Sequence, residues 1–290
     1  MIEPLLADDA FLADVERPLA DGALRLWWTG QSGFLVRWGN HRLLLDPYLS
    51  DSLTTKYAAT DKPHVRMTAR VIAPERLTGI DVVTSSHNHT DHLDAETLRP
   101  LRAANPEMAL VIPEANREFV AQRLGISATE PIGLDDGASV MVGGFEFHGI
   151  AAAHNELERN DAGHHRFLGY VIRAGRWTLF HSGDTLLYPD LAERLRAFAP
   201  IDVALLPING DKPERRVAGN LDGAEAAQLA HAVGARSVIP CHYEMFEFNT
   251  ADPRELFIPE CTRLGQPYRV LRAGEGWGGA MERRSDGGVE

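Results

Sequence analysis

Short apolar runs alternate with helical spacings along the chain, and the changeovers divide it into four stretches. Residues 24–29 and 33–38 are apolar and aromatic, parted by Gly30-Gln31-Ser32-Gly33. Gly39-Asn40 then turns the chain into 42–45, which stops at Asp46-Pro47. Runs this short, bounded by Gly, Asn and Pro, predict a β-meander. From residue 80 the pattern changes to a strand at 80–85, a helix carrying Leu98 and Leu101 on one face, a strand at 109–112, and a helix at 114–124 closed by Gly125. Hairpins return at 139–142 with 145–150 across Gly143-Gly144, and at 168–173 with 177–180 across Ala174-Gly175. The last third is βα again: a helix at 190–198, a strand at 201–206, and a helix opened by the capping-box pair Asp222 and Glu225 and ended by Gly234. A strand at 237–241 follows, then a final helix that starts at Asp252-Pro253 and closes at Gly265.

Two mixed β-sheets packed face to face with helices outside satisfy this order in one α/β domain. The pattern places that domain at residues 23–273. Residues 1–22 read as an N-terminal extension with a short helix around Phe11 to Leu19, and 274–290 as a C-terminal tail. Gly274-x-Gly276-x-x-Gly279 matches a dinucleotide fingerprint on paper, but no helical pattern follows it. Residues 48–79 lack periodicity, and a loop that long inside a domain is usually functional.

Composition narrows the partners. With 29 basic and 41 acidic residues the formal net charge is −12, which disfavours a nucleic acid, because phosphate contacts need a basic footprint. A small-molecule substrate is the expected partner, and a homo-oligomer is compatible with the chain. The two cysteines, Cys241 and Cys261, cannot build a disulfide scaffold and fit a reducing compartment. The first residues carry no basic segment of a secretory signal, and no apolar run approaches the roughly 20 residues of a membrane helix. A cytoplasmic protein without a membrane partner is expected.

The 12 histidines are unevenly spread. Strand 80–85 runs into His87-Asn88-His89-Thr90-Asp91-His92, four candidate metal ligands within six residues. Alternate residues of an extended loop point one way, so His87 and His89 can share one ion, while Asp91 and His92 begin the next turn and can face a second. His154, Asp184 and His242 each follow a strand end, where α/β folds gather their ligands. Imidazole with carboxylate suits zinc, manganese, iron or nickel.

The order His-x-His-x-Asp-His, then His, Asp and His, resembles the metallo-β-lactamase superfamily. Trp27-Trp28-x-Gly30, Leu45-Asp46-Pro47, Leu179-Phe180-His181-Ser182-Gly183-Asp184, Val238-Ile239-Pro240-x-His242 and Ala251-Asp252-Pro253 are similar to its lactonase-like branch, which includes ascorbate-6-phosphate lactonase. The chain departs from the ascorbate-phosphate lactonases at the third motif, where it keeps His154. The resemblance implies a four-layered αββα sandwich with two divalent ions at one edge, zinc or manganese first and iron as a further candidate. It implies that His87, His89 and His154 hold the first ion, that Asp91, His92 and His242 hold the second, and that Asp184 bridges them. Asp46 is similar to the family's early aspartate, which orients a ligand.

An ion of this kind lowers the pKa of its water from about 15.7 towards about 7, so a metal-bound hydroxide is available at neutral pH. Asp91 is the natural proton acceptor and donor beside it. This chemistry predicts hydrolysis of an ester, lactone, amide or phosphoester, and the resemblance implies a dinuclear metallohydrolase acting on a small, anionic ester or lactone like a sugar-phosphate lactone. Lys212, Arg215 and Arg216, on the loop after strand 201–206, are candidates to clamp the anionic group, and Tyr188 is a further candidate at the pocket. The alternatives are a phosphodiesterase or nuclease of the same fold, a mono-iron redox enzyme, and a non-catalytic binding module. The acidic charge and the complete ligand set argue against the first and the last. A diiron reductase would place Glu where His89 stands, and a classical β-lactamase with a Cys ligand would have it where Asp184 stands.

Overall fold

Turn chemistry and strand burial together set the architecture of residues 1–279, which the computed structural model describes. In chain order the strands are β1 (Leu24–Gly30), β2 (Gly33–Trp38), β3 (His41–Leu45), β4 (Val82–Thr84), β5 (Ala109–Pro113), β6 (Ile132–Leu134), β7 (Ser139–Val142), β8 (Phe145–Ala151), β9 (Leu168–Ala174), β10 (Trp177–His181), β11 (Val203–Pro207), β12 (Val238–Cys241) and β13 (Gly276–Gly279). The helices are α1 (Asp8–Val15), α2 (Ser52–Tyr57), α3 (Ala95–Ala104), α4 (Arg117–Leu124), α5 (Leu191–Arg196), α6 (Gly223–Ala232) and α7 (Phe257–Leu264). The strands form a 7-stranded sheet in the order β13-β1-β2-β3-β4-β5-β6 and a 6-stranded sheet in the order β12-β11-β10-β9-β8-β7. Both are mixed, and with the helices they make the αββα sandwich. Among the described residues, no helix is long and apolar enough to cross a membrane.

Strands β10, β11 and β12 are buried along their whole length, as strands covered on both faces must be. Edge strand β7 instead alternates exposed and half-buried positions. The β7–β8 hairpin closes over Gly143 and Gly144, with φ of +56° and +83°. Two positive φ values at the centre of a two-residue turn match the right-handed twist of the flanking strands, which is why both residues are glycine. In α6 the capping box is complete: the Asp222 carboxylate accepts from Glu225 N at 2.8 Å, and Glu225 Oε2 accepts from Asp222 N at 2.9 Å.

Strand direction positions the site. β8 and β10 are each antiparallel to β9, and β10, β11 and β12 are mutually parallel. The C-terminal ends of β8, β10 and β12 therefore open at one edge of the second sheet. In the first sheet β3 and β4 run parallel and end side by side.

The two ends of the chain correct the sequence reading. The presumed tail contributes β13, which pairs antiparallel with β1, with Leu24 opposite Gly279 and Trp27 opposite Gly276. Its Gly-Trp-Gly-Gly composition lacks the β-branched residues that announce a strand, yet it caps the open edge of β1. Residues 280–290 of the expected tail lie outside the described residues. At the other end, α1 begins at Asp8 rather than near Phe11, and it is no loose extension. Phe11 and Val15 lie in the main core, and the buried Asp14 carboxylate accepts from Trp27 Nε1 at 2.8 Å and Arg25 Nη2 at 2.9 Å. The last helix starts at Phe257 instead of Asp252, because the Asp252 side chain accepts from Arg254 N and closes a local turn.

Truncating Phe11 should therefore behave as a core mutation. Phe11→Ala is expected to cost about 3–5 kcal/mol in denaturant unfolding. A loss below about 0.5 kcal/mol, the scale of surface substitutions, would show that α1 is peripheral.

Candidate metal centre

The site begins at Asp46, where β3 ends. Its carboxylate is fully buried and collects donors from β4 and the loop beyond it. Thr84 Oγ1 donates to Oδ1 at 2.8 Å, Ser86 N donates to Oδ1 at 3.0 Å, and the Ser86 hydroxyl donates to Oδ2. His92 Nδ1 donates to Oδ2 at 2.8 Å. With Nδ1 so occupied, the free nitrogen of His92 is Nε2, and the ring cannot turn away. His154 is fixed the same way, its Nδ1 donating to Gly219 O at 2.9 Å. Gly183 has φ of +58°, and a Cβ there would meet Ser86 Cβ at 2.6 Å, so only glycine lets the Asp184 loop approach the histidine loop this closely.

The seven side chains come together. His92 Nε2 lies 3.3 Å from Asp184 Oδ1 and 3.6 Å from Asp91 Oδ2. His242 Nε2 lies 3.3 Å from Asp184 Oδ2 and 3.6 Å from Asp91 Oδ2, and His154 Nε2 lies 3.8 Å from Asp184 Oδ2. Three groups bring their ligand atoms within 4.8 Å of one another: His87, His89 and His154; His87, His92 and Asp184; and Asp91, His92 and His242. Buried His87 Nε2 has no hydrogen-bond partner, and buried His92 Nε2 and Asp184 Oδ1 face only each other, without good hydrogen-bond geometry. Leaving such groups unpaired costs roughly 1–3 kcal/mol each, and a divalent cation on these nitrogen and oxygen donors removes that cost. The donor set thus fits divalent metal ions.

Electrostatics agree with this fit. Burial lowers the pKa values of His87, His89 and His154, the last to about 4, so these imidazoles are neutral with a lone pair to offer. For His92 and His242 burial acts in the same direction, but the carboxylates of Asp184 and Asp91 outweigh it, holding His92 well above its ordinary value and His242 at about 9. Burial alone would push Asp91 and Asp184 up; the His92 and His242 imidazoles hold both well below the carboxylate range. The field that draws protons onto these two histidines also draws a divalent cation.

Five of the seven, His89, Asp91, His154, Asp184 and His242, line a cavity of about 430 Å³. The expected anion clamp is not in it. Arg215 is tied down by Asn209 O, by Asn249 Oδ1 at 3.2 Å and by Thr250 O at 2.7 Å, and Arg216 pairs with Asp61 at 2.9 Å. Lys212 lines a separate, acid-rich depression beside α6. Tyr188 donates its hydroxyl to Ala151 O at 2.6 Å and packs against the core. A strand-end loop rich in cations suggested a clamp, but sequence carries no information on which way the loop's side chains turn.

One residue at the site escaped the sequence reading. Gln31 is fully buried, with Nε2 donating to Asp91 Oδ2 at 2.8 Å and lying 3.0 Å from His242 Nε2. Its φ is +51°, and Asp46 and His242 also have positive φ, at +37° and +62°. Left-handed non-glycine residues are uncommon, and three of them meet at this site. A glutamine within the turn Gly30-Gln31-Ser32-Gly33 is the only trace of this in the sequence.

Residues 41–243 match the beta-lactamase superfamily domain. A UPF0173 metal-dependent hydrolase of Opitutus terrae is 33% identical over 261 residues, covering 87% of this chain and 98% of the relative. Among solved structures, Igni18, a metallo hydrolase from Ignicoccus hospitalis, is similar with a TM-score of 0.65 and 21% identity, covering 90% of this chain and 100% of its own. CmlA, a diiron β-hydroxylase from Streptomyces venezuelae, is similar with a TM-score of 0.66 and 16% identity, covering 91% of this chain and 55% of its own. The fold thus hosts both hydrolytic and oxidative chemistry, and the chemistry must be argued from the site.

Two outcomes check this geometry. Asp46→Asn should weaken divalent-metal binding by about 10- to 100-fold, read by competition with a chromophoric chelator; unchanged affinity would remove Asp46 from the centre. Lys212→Ala and Arg216→Ala should each leave KM within about twofold for anionic and neutral substrates alike, as surface changes do. A selective rise for the anionic substrate would restore the clamp.

Proposed function

The chain belongs to the beta-lactamase superfamily, and on that premise we propose that it is a metal-dependent hydrolase that cleaves a small ester or lactone. Its ions are two per chain, zinc or manganese, with iron as the alternative. The observation that carries this reading is the convergence of buried donors, His87 Nε2, His92 Nε2 and Asp184 Oδ1, directly behind a cavity of small-molecule size that His89, Asp91, His154, Asp184 and His242 line. In this reading His87, His89 and His154 hold one ion, Asp91, His92 and His242 hold the other, and Asp184 reaches both. Ions bound there supply an activated water and polarise the acyl oxygen.

The chain's own residues orient the reactants and move the proton. Gln31 fixes Asp91 Oδ2, which leaves Oδ1 to take a proton from the attacking water and return it to the departing alkoxide. In the balanced step the water oxygen bonds to the acyl carbon, the acyl C–O bond breaks, and the alcohol leaves with the proton. Asp46 keeps His92 Nε2 turned to the centre. The buried, unpaired Cys241 and Cys261 support the cytoplasm as the compartment.

The test is turnover by metal-loaded protein, with metal content measured, on a panel of esters, lactones and phosphodiesters. Hydrolysis of esters or lactones, lost on chelation and restored by zinc or manganese, is expected. Turnover of phosphodiesters alone would replace the reading with the phosphodiesterase alternative. Asp91→Asn should lower kcat by at least about a hundredfold at full metal occupancy. Near-native activity of that loaded variant would take Asp91 out of the mechanism.

A further inference from the structure

The cavity above the ligands has one polar floor and one aromatic wall. The wall comes from α2, from the aperiodic stretch after it, and from the loop following His242. Tyr57 and His64 stack with ring centres 4.1 Å apart and planes at 17°. His64 also lies 4.5 Å from Phe248 and 5.2 Å from Phe246. All four line the same cavity as Asp91, Asp184 and His242. Phe246 belongs to a small cluster with Tyr48, Leu53 and Met245, separate from the main core. Tyr57 and Phe248 pack against that cluster, yet they and His64 are only half-buried, so the wall keeps an uncovered front. Two further apolar side chains at the cavity, Phe119 and Val217, are 39% and 37% exposed. Apolar side chains left uncovered around a cavity are a binding feature, since nothing in the fold gains from exposing them.

The cations at the cavity pack on its aromatic rings. Lys56 and Arg123 are the cavity's lysine and arginine. The Arg123 guanidinium donates to Asn88 O at 2.7 Å and sits 4.4 Å above the Phe119 ring, and the Lys56 ammonium lies 4.9 Å from the Tyr57 ring centre at the exposed rim. His64 spends Nδ1 on Lys62 O at 3.1 Å, and burial lowers its pKa, so its ring joins the wall uncharged. Resting on the hydrolase reading, we propose that the substrate carries a flat, uncharged aromatic group. That group seats against Tyr57, His64, Phe246 and Phe248 while the acyl bond faces the metal ligands. Stacked and edge-on aromatic contacts would recognise it. The wall thereby sets a specificity opposite to the anionic one that the cationic loop suggested.

The experiment uses full-length, zinc-loaded protein and three acetate esters of matched reactivity: ethyl acetate, 2-phenylethyl acetate and 2-phosphoethyl acetate. The phenyl ester should exceed both others in kcat/KM by at least about tenfold. Phe248→Ala and Tyr57→Ala, each checked for folding by circular dichroism, should reduce the phenyl-to-ethyl ratio by at least about threefold, and Phe248→Tyr should keep it. A binding arm titrates 2-phenylethanol and 2-phosphoethanol into the same proteins by saturation-transfer NMR. Equal rates for the phenyl and ethyl esters, preference for the phosphoester, or a ratio unmoved by both alanine variants would overturn the proposal while leaving the hydrolase reading intact. Wall-dependent binding of 2-phenylethanol with no ester turnover would support the aromatic seat and sink the hydrolase reading instead. Absence of both binding and turnover would reject the two together.

Discussion

A single buried carboxylate, that of Asp46, joins the sheet to the chemistry. Burial by itself would push its pKa up, but the hydrogen bond from His92, the nearby His181 and the Ser86 hydroxyl hold it below the usual range. It therefore stays charged in the interior, where an ion without partners is very costly. Its donors are Thr84 at the end of β4, Ser86 in the loop beyond, and His92 at the far side of that loop. The end of β3, the end of β4 and the histidine loop are thus locked into one arrangement. The positions of His87 and His92, and the ring orientation of His92, follow from it.

The rest of the centre depends on strand direction and on unusual backbone. β8, β10 and β12 deliver His154, Asp184 and His242 to one edge because the hairpin β8–β9–β10 and the parallel set β10–β11–β12 leave those ends together. Close approach then requires Gly183 against Ser86, and left-handed backbone at Gln31, Asp46 and His242. Strain of this kind persists where surrounding contacts over-determine it. Here the contacts are the Trp28 Nε1 and His242 N bonds to Gln31 O, at 2.9 and 3.0 Å, and the stacking of Trp28 on Tyr243 at 4.4 Å.

Much of this was legible in the sequence, for physical reasons. Strand and hairpin limits were readable where Gly pairs force a turn, as at Gly143-Gly144, and helix ends where a cap is specific, as at Asp222 and Gly125. The candidate ligands stood out because three histidines and an aspartate within six residues have no packing explanation. What escaped had no local signature. β13 is a strand only because β1 offers it an edge. Gln31 reaches Asp91 across 60 positions of sequence. The aromatic wall is assembled from residues almost two hundred positions apart, and Arg215 and Arg216 of the 212–216 loop serve other contacts.

The proposed dinuclear centre uses seven side chains, His87, His89, Asp91, His92, His154, Asp184 and His242, beside the aromatic-walled cavity. Anomalous diffraction at the zinc edge from crystals of the zinc-loaded protein tests it most directly. The account predicts two peaks, one among His87, His89 and His154 and one among Asp91, His92 and His242, with Asp184 between them. A fully loaded crystal with no peak at these side chains, or with its zinc held elsewhere, would contradict it.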